Sequence, residues 1–91
     1  MKNQSSNQSQ PTIVAIICNY FRHADELLIK PLNLDRSRVV IISPESTEKM
    51  RGYRDIYFYE MRPMYAREQE LAQSADWKSC NKTELQELAG L

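Results

Sequence analysis

Three short apolar runs constrain the fold of this chain more than any other feature of its sequence. They are 12–18 (TIVAIIC), 38–42 (RVVII) and 55–60 (DIYFYE). The first two are continuous in hydrophobicity and rich in β-branched residues, which is typical of strands covered on both faces in a parallel sheet. A helical pattern follows each run. This alternation predicts parallel strands joined by right-handed helical crossovers.

The first helical pattern follows the first apolar run. Its apolar residues are spaced to share one helical face, and they are Phe21, Ala24, Leu27 and Leu28. Asn19 is a suitable N-cap for this helix, and Pro31 is expected to end it because proline cannot continue the backbone hydrogen bonds.

A second, shorter helix is predicted after the second apolar run. Ser43 is expected to cap it, Pro44 suits its first turn, and Met50 is its expected inward residue. Gly52 can adopt the left-handed conformation that ends many helices. After the third run, 64–73 is predicted to form another helix.

The last helix is expected to begin with a capping box of Thr83 and Gln86 and to end at Gly90. The element order is β-α-β-α-β-α. We therefore predict a small three-layer α/β domain, Rossmann-like or P-loop-like, with a three-stranded parallel sheet over 12–91. Residues 1–11 (MKNQSSNQSQP) are almost wholly polar, so we interpret them as a disordered tail.

Length and charge limit the classes of partner. A chain of 91 residues is near the lower size for a stable single core, which favours a protein partner or self-association, such as a homodimer. The net charge of zero gives no general attraction to nucleic acid or to anionic membranes. The apolar runs are too short to span a membrane, and we predict a cytoplasmic protein. Cys18 and Cys80 are expected to be free thiols, with a disulfide between them left open.

Several catalytic chemistries lack the residues they need. Phosphate-binding loops require glycines, but the segment after the first run (CNYFRHAD) has none, and the chain holds only Gly52 and Gly90. Cys18 and Arg22 are too closely spaced for a phosphatase loop. His23 is the single histidine, which is too few for a metal site with two distant cysteines. We therefore predict no enzyme, no catalytic residue, no cofactor and no metal.

Open α/β sheets bind ligands beyond the carboxyl ends of their strands. The residues predicted to lie there are Cys18, Asn19, Tyr20, Ser43, Pro44, Glu60, Met61 and Arg62. Among these, a thiol, a hydroxyl and a carboxylate leave open a small enzyme or phosphate binder at this edge.

The most unusual part of the sequence is 51–67, which interleaves tyrosines with arginines. The candidate interaction residues are Arg51, Tyr53, Arg54, Tyr57, Tyr59, Glu60, Arg62, Tyr65 and Arg67. Arginine and tyrosine are enriched at protein–protein hot spots, and they also clamp phosphates and stack on bases. A third interpretation is that the tyrosines are ordinary strand residues half-covered by a helix, with arginines at the rim.

The string SPESTEKMRGYRDIYFYE resembles the region of large-terminase and helicase-like P-loop ATPases in which a short helix and an R-G-x-R stretch lead into the Walker B strand. It is also similar to small phage-encoded α/β proteins of unknown function that keep this core alone. The likeness covers 38–62. It departs from the ATPases at Tyr59, which stands where they have the metal-binding aspartate, so that only Glu60 remains. The resemblance therefore implies a degenerate nucleotide-fold remnant used for binding.

Together these observations favour a small non-catalytic protein of phage or mobile-element type that acts through protein–protein association. The first alternative is a nucleic-acid-binding accessory protein that uses 51–67. The second is the small enzyme or phosphate binder at the carboxyl ends of the strands.

Overall fold

The structure is a computed structural model, and it describes residues 12–91. Its sheet contains β1 (Val14–Ile17), β2 (Val39–Ile42), β3 (Tyr57–Glu60) and β4 (Lys78–Ser79). The spatial order is β2-β1-β3-β4, and all three pairings are parallel. The predicted α/β domain with a parallel sheet is confirmed. The predicted number of three strands is wrong, because β4 adds a fourth. The predicted tail lies outside the described residues.

The sheet register explains why β1 is the most apolar strand. β1 lies between β2 and β3, and Ile16 pairs with Ile41 on one side and Tyr59 on the other. All four residues of β1 are fully buried. A strand with neighbours on both sides and helices on both faces needs apolar side chains throughout, which the continuous run supplies.

Two hydrophobic clusters lie on opposite faces of the sheet, because successive side chains of a strand alternate between its faces. The first cluster is built on Val14 and Ile16 and is completed by Leu28 and Leu85 from two helices. The second cluster is built on the other two residues of β1 and on Ile42, Met50, Phe58, Ala72 and Trp77. Helical segments therefore cover both faces.

Helix α1 covers 21–32 and contains a π-helical segment, Asp25–Ile29, between two α-helical ends. A π-helical turn shifts the phase of the residues after it. Leu28 and Ile29 are buried, whereas Phe21 and Leu27 are 57% and 61% exposed. The predicted face was therefore wrong at these last two positions.

The ends of α1 also differ from prediction. Tyr20, and not Asn19, is the N-cap residue, and Pro31 lies inside the last turn of the helix. The helix ends at Asn33, which adopts the left-handed conformation with φ of 55°. Asparagine tolerates this conformation better than most residues, since its short polar side chain can bond to nearby backbone.

The remaining helical segments are two 3₁₀ helices, Arg36–Arg38 and Pro44–Gly52, and helices α2 (Ala66–Ser74) and α3 (Lys82–Ala89). Ser43 caps the second 3₁₀ helix and Met50 is buried, as predicted. Gly52 does not adopt a positive φ.

Helix α3 starts earlier than predicted. Its N-cap is Asn81, which accepts a hydrogen bond from the backbone N–H of Glu84 at 2.8 Å, so the capping box of Thr83 and Gln86 is wrong. Gly90 is its C-cap, as predicted. No helix within 12–91 has the length and apolar character required to cross a membrane.

Candidate functional site

The carboxyl ends of β1, β2 and β3 meet at one edge of the sheet. The connection after β1 leads to β2 on one side, whereas the connection after β3 leads to β4 on the other side. The crossover directions therefore diverge between β1 and β3, which is the position where open parallel sheets leave a crevice for ligands.

Arg62, just beyond β3, fills this position. Its Nε donates to Asn19 Oδ1 at 2.7 Å, and its Nη2 donates to the backbone oxygen of Cys18 at 3.2 Å. Both residues follow β1, so the guanidinium ties the end of β3 to the end of β1. Nη1 and Nη2 also donate to the two carboxylate oxygens of Glu68 at 2.7 and 2.9 Å. The guanidinium is thus held inside the protein, where it has no free edge for a ligand.

Glu68, in the first turn of α2, is the carboxylate partner of Arg62. The side chains of Arg62 and Glu68 are only 12% and 2% exposed. Burial alone would raise the pKa of Glu68, but hydrogen bonds from Arg62 and from the Tyr65 backbone N–H, with the Arg62 charge, lower it. The carboxylate is therefore ionised at neutral pH, and the pair is neutral as a unit.

Beside this ion pair lies an open cleft of about 380 Å³, which we call the edge cleft. Its lining residues come from the segments that follow three strands, and they are Asn19, Tyr20, Pro44, Glu45 and Tyr65. Their convergence follows from the parallel topology, since parallel strands bring their carboxyl ends to one edge. Three of these residues, Asn19, Tyr20 and Pro44, are predicted at this edge from the sequence.

Tyrosine side chains dominate the exposed surface around the edge cleft. Tyr20 and Tyr65 are 65% and 53% exposed, which is unusual for large aromatic residues. The Arg62 guanidinium stacks over the Tyr65 ring at 4.2 Å from its centre, and Tyr20 makes an edge-to-face contact with His23. Both tyrosines keep more than half of their surface exposed despite these contacts.

The arginines of 51–67 do not form one basic surface. Glu48 pairs with Arg51 at 3.0 Å and with Arg67 at 3.1 Å, which joins the second 3₁₀ helix to α2. Arg54 donates to the backbone oxygen of Ser74 at 3.3 Å. Arg51 and Arg67 lie on the layer above the second cluster, since Met50 and Ala72 of the same two helices belong to that cluster, and Arg54 is bonded to the end of α2 in that layer.

The tyrosines of β3 lie on the opposite face of the sheet. Tyr57 and Tyr59 pair with Val14 and Ile16, whose side chains belong to the first cluster, and Tyr59 packs against that cluster. Tyr53 is half-buried against the second cluster, and its carbonyl accepts a hydrogen bond from the indole of Trp77 at 2.9 Å. The structure therefore divides the Arg/Tyr segment between two faces and brings only Tyr65 into the lining of the edge cleft, with Arg62 stacked against its ring.

The potential nucleophiles and bases near this edge are engaged in structural contacts. Burial raises the pKa of the Cys18 thiol, and the Arg62 charge offsets this only in part. Ser43 bonds to Ser46, and the Glu60 carboxylate accepts the Met64 backbone N–H at 2.9 Å. These groups have the positions that the sequence assigned to them.

The two cysteines are both free and buried. Cys80 belongs to the first cluster, as Cys18 does, and burial raises its pKa to about 11. Within 12–91 there is no cluster of three or more side chains suited to hold a metal ion.

Sequence reasoning missed Glu68 and Glu45, which complete the ion pair and the edge cleft. No sequence pattern signals Glu68, because the five residues between it and Arg62 include Pro63 and a turn instead of a regular helical spacing. Glu45 had a usable signal, since it follows Pro44 directly at the end of β2.

We found no family model, no curated protein and no solved structure that matches this chain.

Proposed function

We propose that this chain is a small non-catalytic domain that binds a partner protein through the edge cleft. The observation that carries the proposal is the pair of half-exposed tyrosines, Tyr20 and Tyr65, which line one cleft from two different connections. Tyrosine is enriched at interface hot spots because it offers a large contact area at little conformational cost.

A non-catalytic role is supported by the state of the polar groups around the cleft. Arg62 and Glu68 neutralise each other, and their hydrogen-bonding atoms are directed to protein partners. Cys18 is buried with a raised pKa, which disfavours the thiolate that a nucleophile requires. General acid–base or nucleophilic catalysis needs such groups to be free and correctly ionised.

The lining of the cleft favours a partner segment that carries a basic side chain. Among the described residues that line it, Glu45 is the one with a formal charge. Tyrosine rings attract an ammonium or guanidinium group through their faces, and a neighbouring carboxylate adds to that attraction. A lysine or arginine flanked by small apolar residues would therefore suit the cleft best.

Nucleic-acid binding by 51–67 is the second candidate, and the geometry gives it less support. Arg51 and Arg67 share Glu48, and Arg62 is buried beside Glu68. Tyr57 and Tyr59 project from the other face of the sheet, away from these arginines. Binding to single-stranded DNA that weakens steeply with salt would favour this candidate, because phosphate contacts release counterions.

The strand order β2-β1-β3-β4 is consistent with a doubly wound, Rossmann-like domain, and we propose that classification. A loss of nucleotide binding in an ancestral P-loop fold, and an origin in a phage or mobile element, stay predictions of the sequence resemblance.

The proposal is tested with the double variant Tyr20→Ser/Tyr65→Ser and the control Tyr57→Ser. Tyr57 is also an exposed tyrosine, but it begins β3 at the opposite edge of the sheet. Proteins retained by each immobilised variant from an extract would be compared by quantitative mass spectrometry. The best candidate would then be purified and its affinity measured.

We expect the double variant to lose at least about tenfold in affinity, because two hot-spot tyrosines at about 1 kcal/mol or more each exceed the roughly 1.4 kcal/mol of a tenfold change. The control is expected to bind as the wild type does. Equal affinity of the wild type and the double variant, with unchanged circular dichroism, would exclude the edge cleft as the binding surface.

A further inference from the structure

Strand β2 (Val39–Ile42) is an edge of the sheet, and its backbone shows which groups face outward. The N–H of Cys18 donates to the carbonyl of Ile42 at 2.9 Å, so the backbone polar groups of Ile42 face β1. Because these groups alternate along a strand, those of Val40 also face β1, whereas those of Val39 and Ile41 face away from the sheet.

Val39 and Ile41 each have one N–H and one carbonyl that face outward. Two of these four groups already have partners. The Val39 N–H bonds to the carbonyl of Arg36 at the end of the first 3₁₀ helix. The Ile41 carbonyl accepts a long contact of 3.4 Å from the Ser46 hydroxyl. Within the described part of the chain, no turn, loop or side-chain hydrogen bond uses the Val39 carbonyl or the Ile41 N–H.

The two groups that are left are self-complementary. We propose that two copies of this chain pair antiparallel along β2, so that the Ile41 N–H of each copy donates to the Val39 carbonyl of the other. Val40 then lies opposite Val40 on the two-fold axis. Each Val39–Ile41 pair would then make one of the two hydrogen bonds of an antiparallel hydrogen-bonded pair, because the Val39 N–H and the Ile41 carbonyl are used within the chain.

The residues that flank and form β2 permit this arrangement. Arg36 and Arg38 precede the strand and are ion-paired with Asp25 and Asp35 of the same chain, so their charges do not oppose a second copy. The strand itself is VVII, with no lysine, proline or glycine of the kind that normally protects an edge from pairing.

The dimer does not rest on the proposed function of the edge cleft. Pro44 and Glu45 follow the carboxyl end of β2, so antiparallel pairing sets the two edge clefts at opposite ends of the paired strands. Self-association is measured on the purified chain alone, so its failure would leave the binding of another protein through the cleft unaffected.

Two measurements on the purified full chain test the dimer. Sedimentation equilibrium over a range of concentrations is expected to show a reversible monomer–dimer equilibrium. Amide hydrogen exchange by NMR is expected to show slower exchange at Ile41 as concentration rises, while Val40, which faces β1 in each copy, is protected at every concentration.

The variant Ile41→Pro removes the donated N–H, and Ile41→Val is its matched control. Both shorten the half-buried side chain, but only proline lacks the N–H, and proline is tolerated at outward positions of edge strands. We expect Ile41→Val to dimerise and Ile41→Pro to remain monomeric with native circular dichroism.

Three outcomes would overturn the proposal. The first is a wild-type chain that stays monomeric at the highest concentrations that NMR requires. The second is protection of Ile41 that does not change with concentration, which would mean that another part of the same chain covers the edge. The third is a folded Ile41→Pro variant that dimerises as well as Ile41→Val.

Discussion

Replacing Arg62 by methionine is expected to destabilise the protein by about 3–5 kcal/mol, which is the usual cost of removing one partner of a buried ion pair. Glu68, whose side chain is 2% exposed, would be left as an unpaired buried carboxylate. The backbone oxygen of Cys18 and the side chain of Asn19 would also lose a donor each. For a domain of this size each kcal/mol lowers the melting temperature by about 4–8 °C, which thermal denaturation readily detects.

The double variant Arg62→Met/Glu68→Met separates the cost of an unpaired charge from the worth of the pair. Replacement of a buried ion pair by apolar residues is often close to neutral, so the double variant should recover most of the lost stability. A double variant as unstable as Arg62→Met would show that the pair itself, and not the orphaned carboxylate, is what the fold requires.

The dependence of stability on acid pH gives a second test of the Arg62–Glu68 pair. The pKa of Glu68 is lowered in the folded protein, so its contribution is fully present above the ordinary glutamate pKa of about 4.3. It is lost as the pH falls through the lower folded-state pKa. Hence the wild type should lose stability in this acid range faster than the double variant, which lacks the group.

Trp77→Ala is expected to cost about 3–5 kcal/mol, in the range typical of buried tryptophan truncations. Trp77 is 8% exposed and belongs to the second cluster, where the centre of its ring system lies 6.2 Å from the centre of the Phe58 ring. It immediately precedes β4. Its loss should weaken the attachment of β4 to β3. Urea denaturation followed by circular dichroism measures the effect, since Trp77 is the single tryptophan and its fluorescence would be lost.

Trp77→Phe is the partial variant, because it keeps one aromatic ring but loses the second ring and the indole N–H that bonds to the Tyr53 carbonyl. We expect it to cost at least about 1 kcal/mol, the typical net value of one hydrogen bond, and clearly less than Trp77→Ala. Equal costs for Trp77→Phe and Trp77→Ala would contradict the view that ring packing in the second cluster is the larger contribution.

Much of the sheet could be predicted from the sequence because strands that are buried on both faces require apolar side chains. β1 and β2 are covered on both faces, so they need continuous β-branched residues, and these runs are visible in the sequence. β4 has no such signal. It consists of Lys78 and Ser79, both exposed, and it is held by backbone pairing with Tyr57 and Phe58. A two-residue polar strand cannot be found from hydrophobicity.

The first helix shows a different kind of limit. The spacing of Phe21, Ala24, Leu27 and Leu28 assumes a regular α-helix, but the π-helical turn from Asp25 shifts the inward face to Leu28 and Ile29. Apolar spacing carries no information about such a turn. The exposure of Leu27 follows from it, whereas Phe21 lies before this turn, at the first residue of α1.

The candidate site was predicted in its position but not in its composition. The carboxyl ends of the strands had to meet because the strands are parallel, so Asn19, Tyr20 and Pro44 could be placed there. The Arg/Tyr segment is one interaction surface in two of the sequence interpretations and a set of half-covered strand residues in the third, and strand alternation implies that Tyr57 and Tyr59 share a face that excludes Phe58. The contact of Arg62 with Glu68 depends on a turn whose path the sequence does not specify.

The chain's own side chains occupy the place where open α/β sheets bind nucleotides. Calorimetric titration of the purified chain with Mg-ATP measures whether a nucleotide can still bind there. Tight triphosphate binding needs converging backbone N–H groups, a lysine and a metal-holding carboxylate. Here Arg62 and Glu68 fill the crevice between β1 and β3. Tyr59, the residue before Glu60, stands where the resemblance would place the metal-binding carboxylate. We predict no measurable heat of binding. Micromolar affinity that is lost in Glu60→Gln would contradict the account.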